Sequence, residues 1–136
     1  MPIQRLLHTL LATAALAGAA HAHAPEGAVK PNFAHVIPNV PGKSLVAVEV
    51  SYPPGGASAP HRHARSAFIY AYVVSGQIQS QVDDGPARIY RAGDSFYEAP
   101  GAHHRISRNA SQTQPAKLLA VFVVDSGKQP LTTPDK

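Results

Sequence analysis

Eight histidines and no cysteine stand in this chain of 136 residues. Nitrogen is therefore the donor that any metal chemistry here must use. Disulfides, thiolate zinc sites, Cys-ligated iron–sulfur clusters and a Cys nucleophile are excluded together. His61 and His63 are spaced i, i+2. On a strand that spacing turns both imidazoles to one face, the simplest way for a β-protein to aim two nitrogens at one ion. His103 and His104 are consecutive, so on extended chain they point opposite ways, and at most one joins the same site. Both pairs lie beside Gly and Pro turns, where the mouth of a barrel is expected. Neutral imidazoles suit Fe, Mn, Zn, Cu and Ni alike, so the divalent transition metal is not chosen by sequence. Arg62, Arg65, Arg105 and Arg108 flank the clusters; of these, Arg62 and Arg105 are the candidates for binding an anionic substrate.

Strands must position these residues. Leu45 to Tyr52 alternates, with Val46, Val48 and Val50 on one face and Ala47, Glu49 and Ser51 on the other, a period-2 strand. Phe68–Val74, Gln77–Val82, Ala87–Tyr90 and Ser95–Glu98 are further strands, separated by Ser75-Gly76, Asp83-Asp84-Gly85-Pro86 and Ala92-Gly93-Asp94 turns. Leu118–Val124 is continuously apolar and is expected to be buried on both faces. No segment repeats at 3.6 residues. The expected class is an all-β sandwich or barrel. Core packing is the expected place for Tyr70, Tyr72, Tyr90, Tyr97, Phe68 and Phe96; any of them left exposed would mark a homodimer face.

Residues 1–22 read as a signal peptide: Arg5, then a Leu/Ala run, then Ala20-His21-Ala22 as a cleavage pattern. That apolar run is too short for a comfortable membrane span. Export to a periplasm or medium follows, with no stable membrane span after cleavage. Residues 23–42, rich in Pro, are an extended lead-in with a short edge strand at 33–37. Residues 43–127 form the barrel, and 128–136 a flexible tail. The net charge is +4 with His neutral, but the basic residues are scattered, and nucleic acid is not an expected partner.

The framing of the histidines resembles the cupin family. Gly55, five residues, His61-Arg62-His63 and a distant Gly76 follow its first motif. Gly93, five residues, Ala99-Pro100-Gly101, two residues, His104 and then Asn109 after four follow its second. The likeness covers about residues 43 to 125 and implies a small antiparallel β-barrel of the jelly-roll kind, with His61, His63 and His104 as metal ligands. His103 then stands in the second shell or faces solvent. The family's motif-one Glu is missing, since Ala67 or Phe68 occupies its place. Glu98, six residues before His104, can replace that carboxylate or act as a general base. Some members are dioxygenases with a three-His iron centre. The resemblance implies a metal-dependent dioxygenase acting on a small molecule, a non-catalytic periplasmic binding module, or a metal-dependent lyase or isomerase.

Overall fold

The structure is a computed structural model that describes residues 23–136; the expected signal peptide, residues 1–22, lies outside the described residues. Eleven strands run through the described residues, with no helix between them. In chain order they are β1 (Ala28–Val36), β2 (Lys43–Tyr52), β3 (Ala57–Ser58), β4 (His61–His63), β5 (Phe68–Ser75), β6 (Gln77–Val82), β7 (Arg88–Arg91), β8 (Ser95–Glu98), β9 (His103–Asn109), β10 (Ala116–Asp125) and β11 (Thr132–Pro134). One sheet has the order β1-β2-β10-β5-β8. The other runs β11-β4-β9-β6-β7, with β3 also on β9. Every ladder is antiparallel, and the two sheets make the expected jelly roll. Among the described residues no helix is long and apolar enough to cross a membrane.

Alternation along the strands decides what the roll encloses. Val46, Val48, Val50 and Tyr52 of β2 face the same interior as Leu118, Ala120, Phe122 and Val124 of β10 and Ile69, Ala71 and Val73 of β5. β10 lies between β2 and β5. Its inward residues are buried, while Leu119, Val121 and Val123 on its other face are half-buried. The apolar run is thus not fully buried on both faces as expected, because among the described residues no third layer covers this sheet.

The same parity overturns the expected place of four aromatics. Because Ile69, Ala71 and Val73 take the inward positions of β5, Phe68, Tyr70 and Tyr72 point outward and are exposed. Tyr97 of β8 joins them, with its ring stacked on Phe68 at 5.8 Å. Tyr90 and Phe96 do pack against the core, their centroids 4.6 Å apart.

Both ends of the chain enter the sheets. The edge strand anticipated at 33–37 is longer, running 28–36 along β2, with a bulge between Pro31 and Phe33. Residues 132–134, read as part of a loose tail, pair as β11 with β4 directly beside His61 and His63. Three residues are too few to show periodicity, which hid this strand.

The reversal from β5 to β6 turns at Gly76, whose φ is +73°. A Cβ at this position would sit 2.4 Å from the Pro115 carbonyl oxygen. Gly93 has a similar φ of +93° with nothing near a Cβ. The two therefore separate backbone strain from collision. Gly93→Ala is expected to cost about 1 kcal/mol from the left-handed backbone alone, whereas Gly76→Ala should cost about 3 kcal/mol or more because β10 must also move. Chemical denaturation of the two variants checks this; equal losses would contradict it.

Candidate functional site

Two short strands place the histidines. His61 and His63 leave the same face of β4, and His104 of β9 stands directly opposite His61 in the antiparallel register. The three ring centroids lie 4.9, 5.2 and 5.8 Å apart. One nitrogen from each ring falls within 4.8 Å of the others. His61, His63 and His104 are thus positioned to bind a metal. Neither candidate for the motif-one Glu position can supply a carboxylate: Ala67 is enclosed in the apolar core and Phe68 is exposed. The carboxylate arrives instead from the opposite sheet. Glu98 pairs in register with Ile69, shares its inward row and is only 3 % exposed. Its Oε2 lies 2.8 Å from His63 Nε2 and its Oε1 lies 3.2 Å from His104 Nδ1.

Hydrogen bonds behind the rings orient them. The Ala59 carbonyl can only accept, so His61 Nδ1, 2.8 Å away, carries the proton and Nε2 keeps its lone pair. His104 Nε2 lies 2.8 Å from Ser80 Oγ; donation to that hydroxyl leaves the lone pair on Nδ1, which faces Glu98. Holding the outer nitrogen is how proteins present imidazole to a metal. His63 has no such partner: both its ring nitrogens, and Glu98 Oε2, are buried without an aligned hydrogen bond despite their close approach. Buried polar atoms left so are uncommon and costly, and a cation between them would satisfy both. Burial lowers the His61 pKa, and burial pushes His104 down to about 4. Both rings are therefore neutral near pH 7, the form that ligates.

The cluster floors a cavity of about 250 Å³. Val48, Val50, Leu118, Ala120, Phe122 and Leu131 form much of its wall. Tyr52 stands in that wall with its hydroxyl 2.7 Å from Ser58 Oγ and 2.8 Å from Ser107 Oγ. Burial raises the Tyr52 pKa, so the phenol keeps its proton. These hydroxyls, and Ser80, went unremarked in the sequence, although the signal was present. Tyr52 continues the inward parity of Val46, Val48 and Val50, and Ser80 lies between inward Ile78 and Val82.

The arginines lie elsewhere. Arg62 sits between His61 and His63, so parity turns it to the outer face, where it is exposed. Arg105 follows His104, is exposed and pairs with Asp84 at 2.9 Å. Neither lines the cavity, so the expected substrate contacts are corrected: alternation sends them outward because their neighbours point in. The register shift between Gln81 and Val82 places an extra residue on β9. Beyond it Ser107 and Asn109 are the buried residues, while Arg108 is exposed and bonds Gln79 at 2.6 Å. A bulge beside a site re-aims side chains in this way. His103 takes the outward of its two expected places. It faces away from the cluster, with Nε2 2.7 Å from Asp135 Oδ2, and braces the tail rather than the ligands.

A protein-family model described as "Cupin domain" matches residues 48–122. No curated protein matches the chain. Among solved structures, protein TT1209 of Thermus thermophilus is similar at 22 % identity and a TM-score of 0.58, over 73 % of this chain and 84 % of its own. A conserved protein with a double-stranded beta-helix domain from Klebsiella pneumoniae aligns at 21 % identity and 0.60, over 74 % of this chain and 78 % of its own. The DMSP lyase DddQ of Ruegeria pomeroyi aligns at 20 % and 0.54, over 66 % of this chain and 42 % of its own. These likenesses concern the fold.

Two outcomes follow from the site's electrostatics. In the metal-free protein, unfolded His104 takes a proton near pH 6.5 while the folded residue resists until about 4. The unfolded chain therefore holds the extra proton between these values. Stability should fall as pH drops through that window, by roughly 3 kcal/mol at its lower end, and this term should be absent above it. Denaturation midpoints against pH check it, with His104→Gln flattening the slope. Ser80→Ala frees the outer nitrogen of His104 and should weaken metal affinity about tenfold with little change in fold, read by competition with a chromophoric chelator.

Proposed function

The chain belongs to the cupin domain family, and from that premise we propose that it is a metal-dependent enzyme. A divalent transition ion would be held by His61, His63, His104 and Glu98, and a small organic molecule would be oxidised beside it in a dioxygenase-like reaction. The observation that carries this reading is the shortage at the floor of the cavity. His63 and Glu98 Oε2 are buried, adjacent and unsatisfied, and the lone pairs of His61 and His104 converge on the same space. A closed structural site would not open into an apolar chamber. When bound there, an ion supplies Lewis acidity and vacant coordination positions for substrate and oxygen.

The chain's own residues do the rest. His61 and His104 present neutral nitrogens because burial disfavours their charged forms. Glu98 adds a carboxylate from β8, replacing from the opposite sheet the family residue that Ala67 lacks. Tyr52 keeps its proton and is tethered by two serines, so it offers a fixed hydroxyl to a molecule in the chamber. The aliphatic wall excludes water around that molecule. The same reading includes export directed by residues 1–22, supported by Arg5, the Leu/Ala run and the Ala20-His21-Ala22 pattern. It also includes a homodimer through the outer face of the sheet that holds β5 and β8, supported by the exposed Phe68, Tyr70, Tyr72 and Tyr97.

Metal analysis after reconstitution with Fe(II), Mn(II), Zn, Cu or Ni tests the site, followed by oxygen consumption against diketones, flavonols and thiols. One ion per chain is expected, lost in His104→Ala, with affinity reduced about tenfold or more in Glu98→Gln. Occupancy far below one ion per chain with every metal would overturn the reading. Full occupancy without turnover of any kind, lyase chemistry included, assigns the protein as a binding module. A Glu98→Gln protein that keeps its metal but loses turnover makes Glu98 a proton carrier instead.

A further inference from the structure

The protein carries net positive charge, yet its cavity does not. Among the described residues no Lys or Arg lines the chamber; the charged lining residues other than histidine are Glu98 on the floor and Glu26. Strand parity and the β9 bulge account for this, since Arg62, Arg105 and Arg108 are all exposed on the outer face. Glu98 is buried and its Oε2 has no hydrogen-bond partner. Glu26 reaches the cavity because the segment before β1 is strapped to β3. Gly27 N–H donates to the Ala57 carbonyl at 3.2 Å and Ala57 N–H donates to the Pro25 carbonyl at 2.9 Å. The strap lies flat on Tyr52: a Cβ at Gly27 would fall 2.5 Å from its ring. Glu26 is exposed, and its carboxylate has no partner among the described residues.

We propose that Glu26 is a specificity-determining residue, and that the substrate is a small, largely apolar molecule of about single-ring size whose portion remote from the metal is neutral or cationic. This inference rests on the reading of the cavity as the place where a molecule meets the metal. An apolar cavity of roughly 150 Å³ takes benzene, so about 250 Å³ admits a ring with a short substituent. The donor atom that meets the ion can itself be anionic, because three neutral imidazoles and one carboxylate leave a divalent ion with net positive charge. Among the described residues the rest of the molecule finds apolar wall, hydroxyls and, at the rim, Glu26. An anionic tail there loses its hydration without gaining a cation, and it meets a like charge at the mouth.

Three pyridines separate these effects on the Co(II)-loaded protein: isonicotinamide, 4-pyridinesulfonate and 4-(aminomethyl)pyridine. Each has one ring nitrogen as metal donor and a para substituent pointing away from it, and the three are neutral, anionic and cationic at neutral pH. Visible Co(II) spectra give their affinities. The sulfonate is expected to bind about fivefold or more weakly than the amide, and the ammonium at least as tightly as the amide. Glu26→Gln should reduce the sulfonate's penalty about twofold while leaving the amide unchanged, the remainder being desolvation of the anion. Equal or tighter sulfonate binding by the unmodified protein would overturn the proposal. A sulfonate penalty undiminished in Glu26→Gln would overturn the role of Glu26. Failure of Co(II) to bind at all sinks the metal reading itself and this proposal with it; bound Co(II) whose spectrum answers to none of the three pyridines overturns the substrate cavity alone.

Discussion

Five groups that water would ordinarily solvate, His61, His63, His104, Glu98 and Tyr52, are held against aliphatic walls inside this roll. Their desolvation is the constraint to which the surrounding structure answers. Each uncompensated buried polar group works against the fold, and the roll compensates them unevenly. Ala59 takes the outer nitrogen of His61, Ser80 the outer nitrogen of His104, and Ser58 with Ser107 the Tyr52 hydroxyl. His63 and one oxygen of Glu98 are left with each other at close range and without an aligned hydrogen bond. The satisfied bonds point the rings of His61 and His104, and the unsatisfied atoms mark the space between them. The chamber is thus rigid behind its donors and chemically incomplete in front of them, the combination a metal-dependent site requires.

A second constraint, the two-residue period of the strand, sorts charge across the sheet. At 61–63 and at 104–105 the sequence interleaves His with Arg, and alternation sends imidazole in and guanidinium out. Strict alternation through β9 would bring Arg108 inward with His104. The bulge prevents this, and Ser107 reaches Tyr52 in its place. A protein with basic overall charge thereby keeps a cavity whose fixed charges outside the histidines are carboxylates. The cost of burying an arginine beside three metal-binding nitrogens is avoided by geometry rather than by composition.

Legibility of the candidate site followed the range of the interactions. His61, His63 and His104 stood out because spacing on a strand and the glycine-framed motifs act over a few residues. Strands with four or more alternating positions, such as 77–82 and 95–98, were readable to their ends. β4 and β11, with three residues each, carry too little pattern to be read. Phe68, Tyr70, Tyr72 and Tyr97 look like core by type, and their exposure depends on small residues such as Ala71 holding the inward row. Arg62 and Arg105 looked like substrate contacts because nearness in sequence is not nearness in space on a pleated chain.

What the sequence by itself determined is the all-β character, the exclusion of sulfur chemistry and the three nitrogen donors. These follow from residue types, turn signals and short spacings, with the resemblance to the cupin motifs choosing His104 over His103, and none of them needs knowledge of distant partners. Tertiary structure decided the rest. It placed Glu98 against His63 and His104 from the opposite sheet and joined Tyr52 to serines 6 and 55 residues away in sequence. It also turned the arginines from the chamber and drew both the 25–27 segment and β11 to its rim. The physical reason is that a carboxylate's role is set by the dielectric and the donors around it. In a jelly roll those come from strands far apart in sequence that antiparallel pairing makes neighbours.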